Sequence, residues 1–245
     1  MPSILKRHFA PVSDQAWQEI DSQATDTFKN TLTARRVVDF CGPHGWQLDS
    51  VNLGRLEVKE QKNGVHWGMR TTQPLLEVRQ PFKLKQMELD HITRGSADAD
   101  LDQLEQTAKT VAVFEDDIIY NGFDEACIKG IIPSCENAPV TMPKKTEDFP
   151  PAIADAVKTL SNNDIEGPYA LVLNPDAYYN LLSGQAKGYP PYRIVKDILK
   201  SENICMSPAI DSGLVISTRG GDFEMTVGKD LSIGYADHNR DEIEF

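Results

Sequence analysis

Asn63-Gly64 lies between two runs of alternating apolar residues, Leu56 and Val58 before it and Val65, Trp67 and Met69 after it. A two-residue connection between antiparallel strands needs positive φ at both central positions, which Asn and Gly adopt at low cost, so the spacing predicts a tight hairpin. A two-stranded ribbon is marginal by itself in water, and its open edges invite further pairing. The segment therefore needs a partner surface. That surface is either its own domain or a neighbouring subunit, and the sequence leaves both open.

The rest of the chain alternates irregularly between helix and strand signals. Ser13 can cap a helix whose apolar positions Trp17, Ile20, Ala24, Phe28 and Leu32 recur at three- or four-residue steps, with Lys29, Arg35 and Arg36 placing positive charge at its end. Such a helix either docks on its own core or serves as an interaction helix. Residues 75–84 suggest another strand region, with Pro81 marking an edge or a break. Asp100 with Gln103 makes a capping-box start for a helix carrying Leu101, Leu104, Ala108, Val111, Phe114 and Ile118, which should stop at Asn121-Gly122.

Residues 134–151, rich in Pro, Thr and Lys, are expected to be a connector. Ile153, Ala156, Val157 and Leu160 then predict a helix, and residues 170–173 a short buried strand. Helices at 176–182 and 192–199 flank a loop at 183–191, and strands follow near Ile204 and at 214–217. Near the C-terminus, glycines punctuate two short alternating runs, 223–227 and 231–235, which predicts a strand, turn, strand unit. Helices interleaved with strands and no regular βα repeat favour an α+β fold.

Composition excludes several classes. With 40% hydrophobic residues, the 245-residue chain has enough apolar material for a real core. The formal charge of -12 disfavours a nucleic-acid coat, which needs clustered Lys and Arg against phosphate. No run approaches the roughly 18 to 20 apolar residues of a membrane span. Cys41, Cys127, Cys135 and Cys205 form no CxxC pair and no apolar signal segment precedes them, which suggests reduced thiols in a cytosol.

His8, His44, His66, His91 and His238 are scattered and match no zinc motif, so no metal is expected; no phosphate-binding glycine loop is present. Asp211-Ser212-Gly213 imitates half of an aspartic-protease motif, but that chemistry needs a second such loop and a turn is the simpler expectation. Glu115, Asp116 and Asp117 occupy consecutive helical positions and fan around the axis, as on a solvated or interface face.

Longer stretches resemble the encapsulin (linocin-type) shell proteins. They are Leu5-Lys6-Arg7, Phe9-Ala10-Pro11, Trp17-Gln18-Glu19-Ile20-Asp21, Arg35-Arg36-Val37-Val38-Asp39, and Gly42-Pro43 followed by Gly45-Trp46. In order after them come Glu88-Leu89-Asp90 with Arg94-Gly95, Phe114-Glu115-Asp116, Ile165-Glu166-Gly167-Pro168-Tyr169, Gly220-Gly221-Asp222-Phe223 and Asp230-Leu231-Ser232-Ile233-Gly234-Tyr235.

The resemblance implies the α+β fold of tailed-phage major capsid proteins (HK97-type). Its parts would be an N-terminal arm and helix (1–48), an extended loop (49–77), a peripheral domain (78–134 and 222–245) and an apical domain (135–221). It implies a non-catalytic wall subunit of a bacterial cytoplasmic nanocompartment, built from about sixty subunits or a multiple and closed by icosahedral symmetry. Leu56, Val58, Val65, Trp67 and Met69 would belong to the inter-subunit extended loop. Ser183, Gly184, Gln185, Ala186, Lys187, Gly188 and Tyr189 would line a five-fold pore that admits small solutes or ions.

The implied cargo is an enzyme such as a ferritin-like iron oxidase or a dye-decolourising peroxidase, linking the shell to iron storage or oxidative stress. Its C-terminal targeting peptide would bind Phe28, Leu32, Arg35, Val38, Asp39, Asp230, Leu231, Ile233 and Tyr235. The type of surface is physically suitable: apolar side chains accept Leu or Ile while Arg35, Asp39 and Asp230 orient polar groups. Some relatives carry a flavin-stacking tryptophan before the Glu-Leu-Asp motif; this chain has Met87 there, and no cofactor is expected. Relatives usually run on through one further strand past the position of Phe245, so an exposed sheet edge is expected near this end. The alternatives are a protease or bacteriocin-type enzyme and a genuine phage major capsid protein.

Overall fold

The computed structural model describes residues 4–184 and 190–245. Helix α1 (Asp14–Thr31) is followed by strand β1 (Asp39–Cys41), the ribbon strands β2 (Ser50–Lys62) and β3 (Val65–Pro74), and β4 (Lys83–Lys85). Helices α2 (Gln86–Thr93), α3 (Asp102–Asn121), α4 (Ile131–Ser134) and α5 (Phe149–Asn162) come next, then β5 (Tyr169–Leu173), α6 (Pro175–Ser183) and α7 (Pro191–Leu199). Short strands β6 (Ile204–Met206), β7 (Gly213–Ser217), β8 (Glu224–Thr226), β9 (Asp237–His238) and β10 (Glu242–Glu244) complete the α+β chain.

Two compact units emerge: the first takes in the described residues up to Leu32, Val78–Asp116 and Leu231–Phe245, and the second Thr33–Glu77 and Asp117–Asp230. In the first, Ser13 Oγ accepts the Ala16 amide at 3.2 Å and starts α1 as predicted. Trp17, Ile20 and Ala24 of α1 are buried against Leu84, Leu89, Ile92, Leu104, Ile243 and Phe245. Each of the large aliphatic and Phe side chains among them contributes roughly 1.5–3 kcal/mol by leaving water. Strand β10 is the middle of a three-stranded antiparallel sheet, β4-β10-β9, and Phe245 stacks on Phe82 with centroids 5.2 Å apart.

The second unit is organised by β5, which is buried along its whole length between parallel β6 and antiparallel β7. Alternation sends Tyr169, Leu171 and Leu173 to a cluster with Phe149, Leu181, Val195 and Leu199. Ala170 and Val172 go to a separate cluster with Ala34, Val37, Tyr120, Ile131 and Ile216. Both faces being covered, the strand is a continuous apolar run with no polar alternation. In the ribbon, Lys62 pairs with Val65 across Asn63 (φ 53°) and Gly64 (φ 80°), the tight turn that the sequence predicts.

Several expectations need correction. Helix α1 stops at Thr31, so Arg35 and Arg36 lie in a separate 3-10 turn, Ala34–Arg36, and do not cap its end. Helix α3 begins at Asp102, and Asp100 stands at its start as expected, its Oδ1 accepting the Asp102 amide at 3.2 Å. Its Asp116 is fully buried, since Ala112 and Tyr120 one turn away on the same face are buried too; only Glu115 and Asp117 keep solvent contact. Of residues 75–84, only the last two join β4, and the following α2 has too little periodicity to be predicted.

Pro150 and Pro151 belong to the first turn of α5, where proline costs no hydrogen bond, and are not part of a connector. The strand, turn, strand unit near the C-terminus is absent. Strand β8 pairs in parallel with β1, while residues 231–235 are irregular, hydrogen-bonding to the N-terminal segment through Tyr235 N to Leu5 O (2.8 Å).

Leu89→Ala should destabilise the first unit by about 2–5 kcal/mol, because Leu89 is 1% exposed in the middle of its core. A fall in the urea midpoint checks this; a change within about 0.5 kcal/mol would show that the site is not close-packed.

Candidate functional site

The residues expected to bind a peptide divide between the two units. In the first, Phe28, Ile233 and Tyr235 are partly buried and pack on the core beneath α1. Leu32, the C-cap of α1, is only 7% exposed and donates its amide to Phe28 O at 2.9 Å, so its side chain is mostly core. The irregular segment carrying Leu231, Ile233 and Tyr235 is fixed by Arg7, whose Nε donates to Ile233 O at 2.8 Å. The same guanidinium makes a two-pronged bond to Asp21 at 2.7 Å and lies 4.3 Å over the Trp17 ring. Tyr235 Oη and His238 Nδ1 are 2.6 Å apart.

In the second unit, Arg35 Nη1 meets Asp230 Oδ1 at 2.9 Å in an ion pair. The Arg35 guanidinium also lies 5.1 Å over the ring of Phe40, which is 39% exposed. Phe40 went unnoticed in the sequence, although the alternation of a strand spanning Asp39–Cys41 would have set it apart from its neighbours. Val38 packs on the core below β5.

Asp39 is engaged structurally: its Oδ2 accepts the Gly221 amide at 2.6 Å and its own amide donates to Phe223 O at 2.9 Å. Gly220 and Gly221 both have positive φ, 86° and 83°, so this turn presents its N–H inward at little cost only because both are glycine. A shallow cleft of about 140 Å³ beside it is lined by Arg36, Val38, Asp39, Thr218, Asp222 and Phe223. Asp222 grips Arg219 through bonds of 2.9 and 3.0 Å, which holds that guanidinium still more firmly protonated.

Of the expected pore residues, Ser183 closes α6 and donates its hydroxyl to Tyr179 O at 2.8 Å, and Gly184 follows it. Gln185, Ala186, Lys187, Gly188 and Tyr189 lie outside the described residues. Nearby, burial raises the Tyr178 hydroxyl above its ordinary pKa, with Tyr192 adding to the effect. A 2.6 Å bond between Lys196 and Glu202 raises the first and lowers the second. The extended-loop residues are all exposed: Val58 73%, Val65 64%, Met69 57%, Leu56 55% and Trp67 45%.

The protease-like run Asp211-Ser212-Gly213 is the bend entering β7, held by Asn174 through its side chain to Asp211 O (2.6 Å) and its amide to Ser212 O (2.9 Å). Among the described residues, no group of three or more His, Cys, Asp or Glu could hold a metal ion, and no helix is long and apolar enough to cross a membrane.

Residues 2–245 match the family described as encapsulating protein for peroxidase (Linocin_M18). The chain belongs to the encapsulin shell-protein family. A type 1 encapsulin shell protein of Rhodospirillum rubrum is 40% identical over 98% of this chain and 88% of its own length. Another, of Brevibacterium linens, is 37% identical over 98% of this chain and 91% of its own. The virus-like particle of Pyrococcus furiosus shares the fold, with a TM-score of 0.63 over 93% of this chain and 90% of that one at 17% identity. This encapsulin is therefore a subunit of a self-assembling compartment shell, a structural and not a catalytic role, on the capsid-like α+β fold expected from the sequence.

Asp39→Ala should cost about 1 kcal/mol and speed hydrogen–deuterium exchange at the Gly221 amide. Unchanged exchange there would show that Asp39 does not hold the turn.

Proposed function

We propose that this encapsulin closes into a hollow icosahedral shell through its β2-β3 ribbon, captures a cargo enzyme by binding that enzyme's C-terminal peptide, and passes small solutes through a pore at residues 183–189. The observation that carries the reading is the ribbon. Among the described residues its two strands pair only with each other, and its apolar side chains are about half or more exposed and belong to none of the buried clusters. A clasp on neighbouring copies would remove that surface from water, and closed symmetry keeps such contacts from running into filaments.

For cargo, Phe28, Leu231, Ile233 and Tyr235 supply apolar contact in the first unit. Arg35 and Asp230 supply an ion pair in the second, with Val38 and Asp39 shaping the strand beside it. Because Arg35 and Asp230 already neutralise one another, they suit the backbone amides and carbonyls of a peptide better than a net charge. The family description points to a peroxidase as cargo, and a ferritin-like oxidase fits the same mode of capture. No flavin or other cofactor is assigned to the wall, where Met87 is 59% exposed.

Trp67→Asp should leave the subunit folded and abolish large particles, since it places a charge on the clasping surface; size-exclusion chromatography with circular dichroism reads both. Particles of unchanged size would remove the ribbon from the assembly. Phe28→Ala with Ile233→Ala should leave particles intact and reduce co-purification of a peptide-tagged cargo, each truncation costing on the order of 2 kcal/mol if it is a hot spot. Equal loading of intact shells would discard the docking residues.

A further inference from the structure

We propose that Cys41 and His44 form a nucleophile–base pair that makes Cys41 the preferred site of thiol–disulfide exchange on this chain, with a small disulfide as the reacting partner. Cys41 Sγ lies 3.3 Å from His44 Nε2, within reach of a sulfur hydrogen bond. Neither residue serves the clasp, the dock or the pore.

The pairing is set by backbone. Cys41 is the last residue of β1 and its carbonyl accepts the Val227 amide at 2.8 Å. The His44 amide donates to Val227 O at 3.0 Å and the Gly45 amide to Gly228 O at 2.6 Å. Between them, Gly42 has φ +137°, and a Cβ there would clash with Val227 O, so only glycine lets the link lie this close to the chain that follows β8. Thiol and imidazole are thus positioned from both ends of a short, anchored link and need little ordering to meet.

In the tautomer with its proton on Nδ1, the imidazole accepts the thiol proton at Nε2 as Sγ attacks one sulfur of the disulfide R–S–S–R. The bond from Cys41 Sγ to that sulfur forms, the original S–S bond breaks, and the departing thiolate takes the proton from the imidazolium. The balance is Cys41–SH + R–S–S–R → Cys41–S–S–R + R–SH: the cysteine is oxidised, the small disulfide is reduced, and no other reactant is needed.

The other three cysteines provide internal comparisons. Cys127 and Cys135 are more exposed than half-buried Cys41, so exposure alone would rank them first. Cys135 Sγ lies 4.0 Å from the Asn137 carbonyl, and buried Cys205 donates to Asn203 Oδ1 at 3.1 Å; both acceptors are amide oxygens, which do not act as bases at neutral pH.

The test treats the full-length, pre-reduced protein with bis(2-hydroxyethyl) disulfide at neutral pH, quenches with acid and follows each cysteine by peptide mass spectrometry. Cys41 is expected to form its mixed disulfide roughly tenfold or more faster than Cys127 and Cys135. His44→Gln should remove at least a factor of about ten at Cys41, the low end of general-base effects after loss of orientation, and leave the other two unchanged. A Cys41 rate at or below that of Cys127 or Cys135 in the unmutated protein overturns the proposal, whatever the folding of the variant. An unchanged Cys41 rate in a folded His44→Gln protein does so as well.

Discussion

Among the described residues, each strand of the β2-β3 ribbon pairs only with the other, and Leu56, Val58, Val65, Trp67 and Met69 are exposed. Residues opposite one another share a face, so Trp67 and Met69 stand with Lys59 and Glu57, whereas Leu56 and Val58 stand with Arg70 and Gly68. Apolar side chains therefore project from both sides, and no rotation of the ribbon could hide them all against one surface. An isolated ribbon of this kind is marginal in water. The chain belongs to a family of shell proteins, and in the assembly proposed above neighbouring copies would cover this element.

Each unit secures its own core independently of that requirement. The first closes around α1 and the middle strand β10, with Trp17, Phe82 and Phe245 meeting edge-on or stacked. The second is threaded by β5, whose two faces feed two separate clusters. Strand β1, though only three residues long, links chemistry to architecture. Its pairing with β8 orients Asp39 toward the Gly220-Gly221 turn, leaves Phe40 under the Arg35 guanidinium, and brings Cys41 to His44.

Local features were legible in the sequence. Asn63-Gly64, the Ser13 cap, the apolar run at β5 and the α3 stop at Gly122 each depend on neighbours a few residues away. What was not legible depends on distant chain. Residues 223–227 and 231–235 look like a local hairpin because both alternate, yet the hydrogen-bond partner of the first lies at residues 39–41 and that of the second at the N-terminus. Asp116 read as part of a solvated or interface face because burial of a carboxylate leaves no mark in a helical pattern. Of the residues expected to bind a peptide, Arg35 and Asp230 were named through resemblance, and they form an ion pair. The sequence could not show that Asp39 is occupied by a turn, because that bond spans most of the second unit's sequence.

The proposed assembly depends on other copies covering the exposed ribbon in a closed shell. Electron microscopy of the purified full-length protein, with its mass in solution measured by light scattering, addresses this most directly. Uniform hollow particles far larger than one subunit are the predicted result. Folded protein that stays monomeric or forms only small oligomers would contradict it.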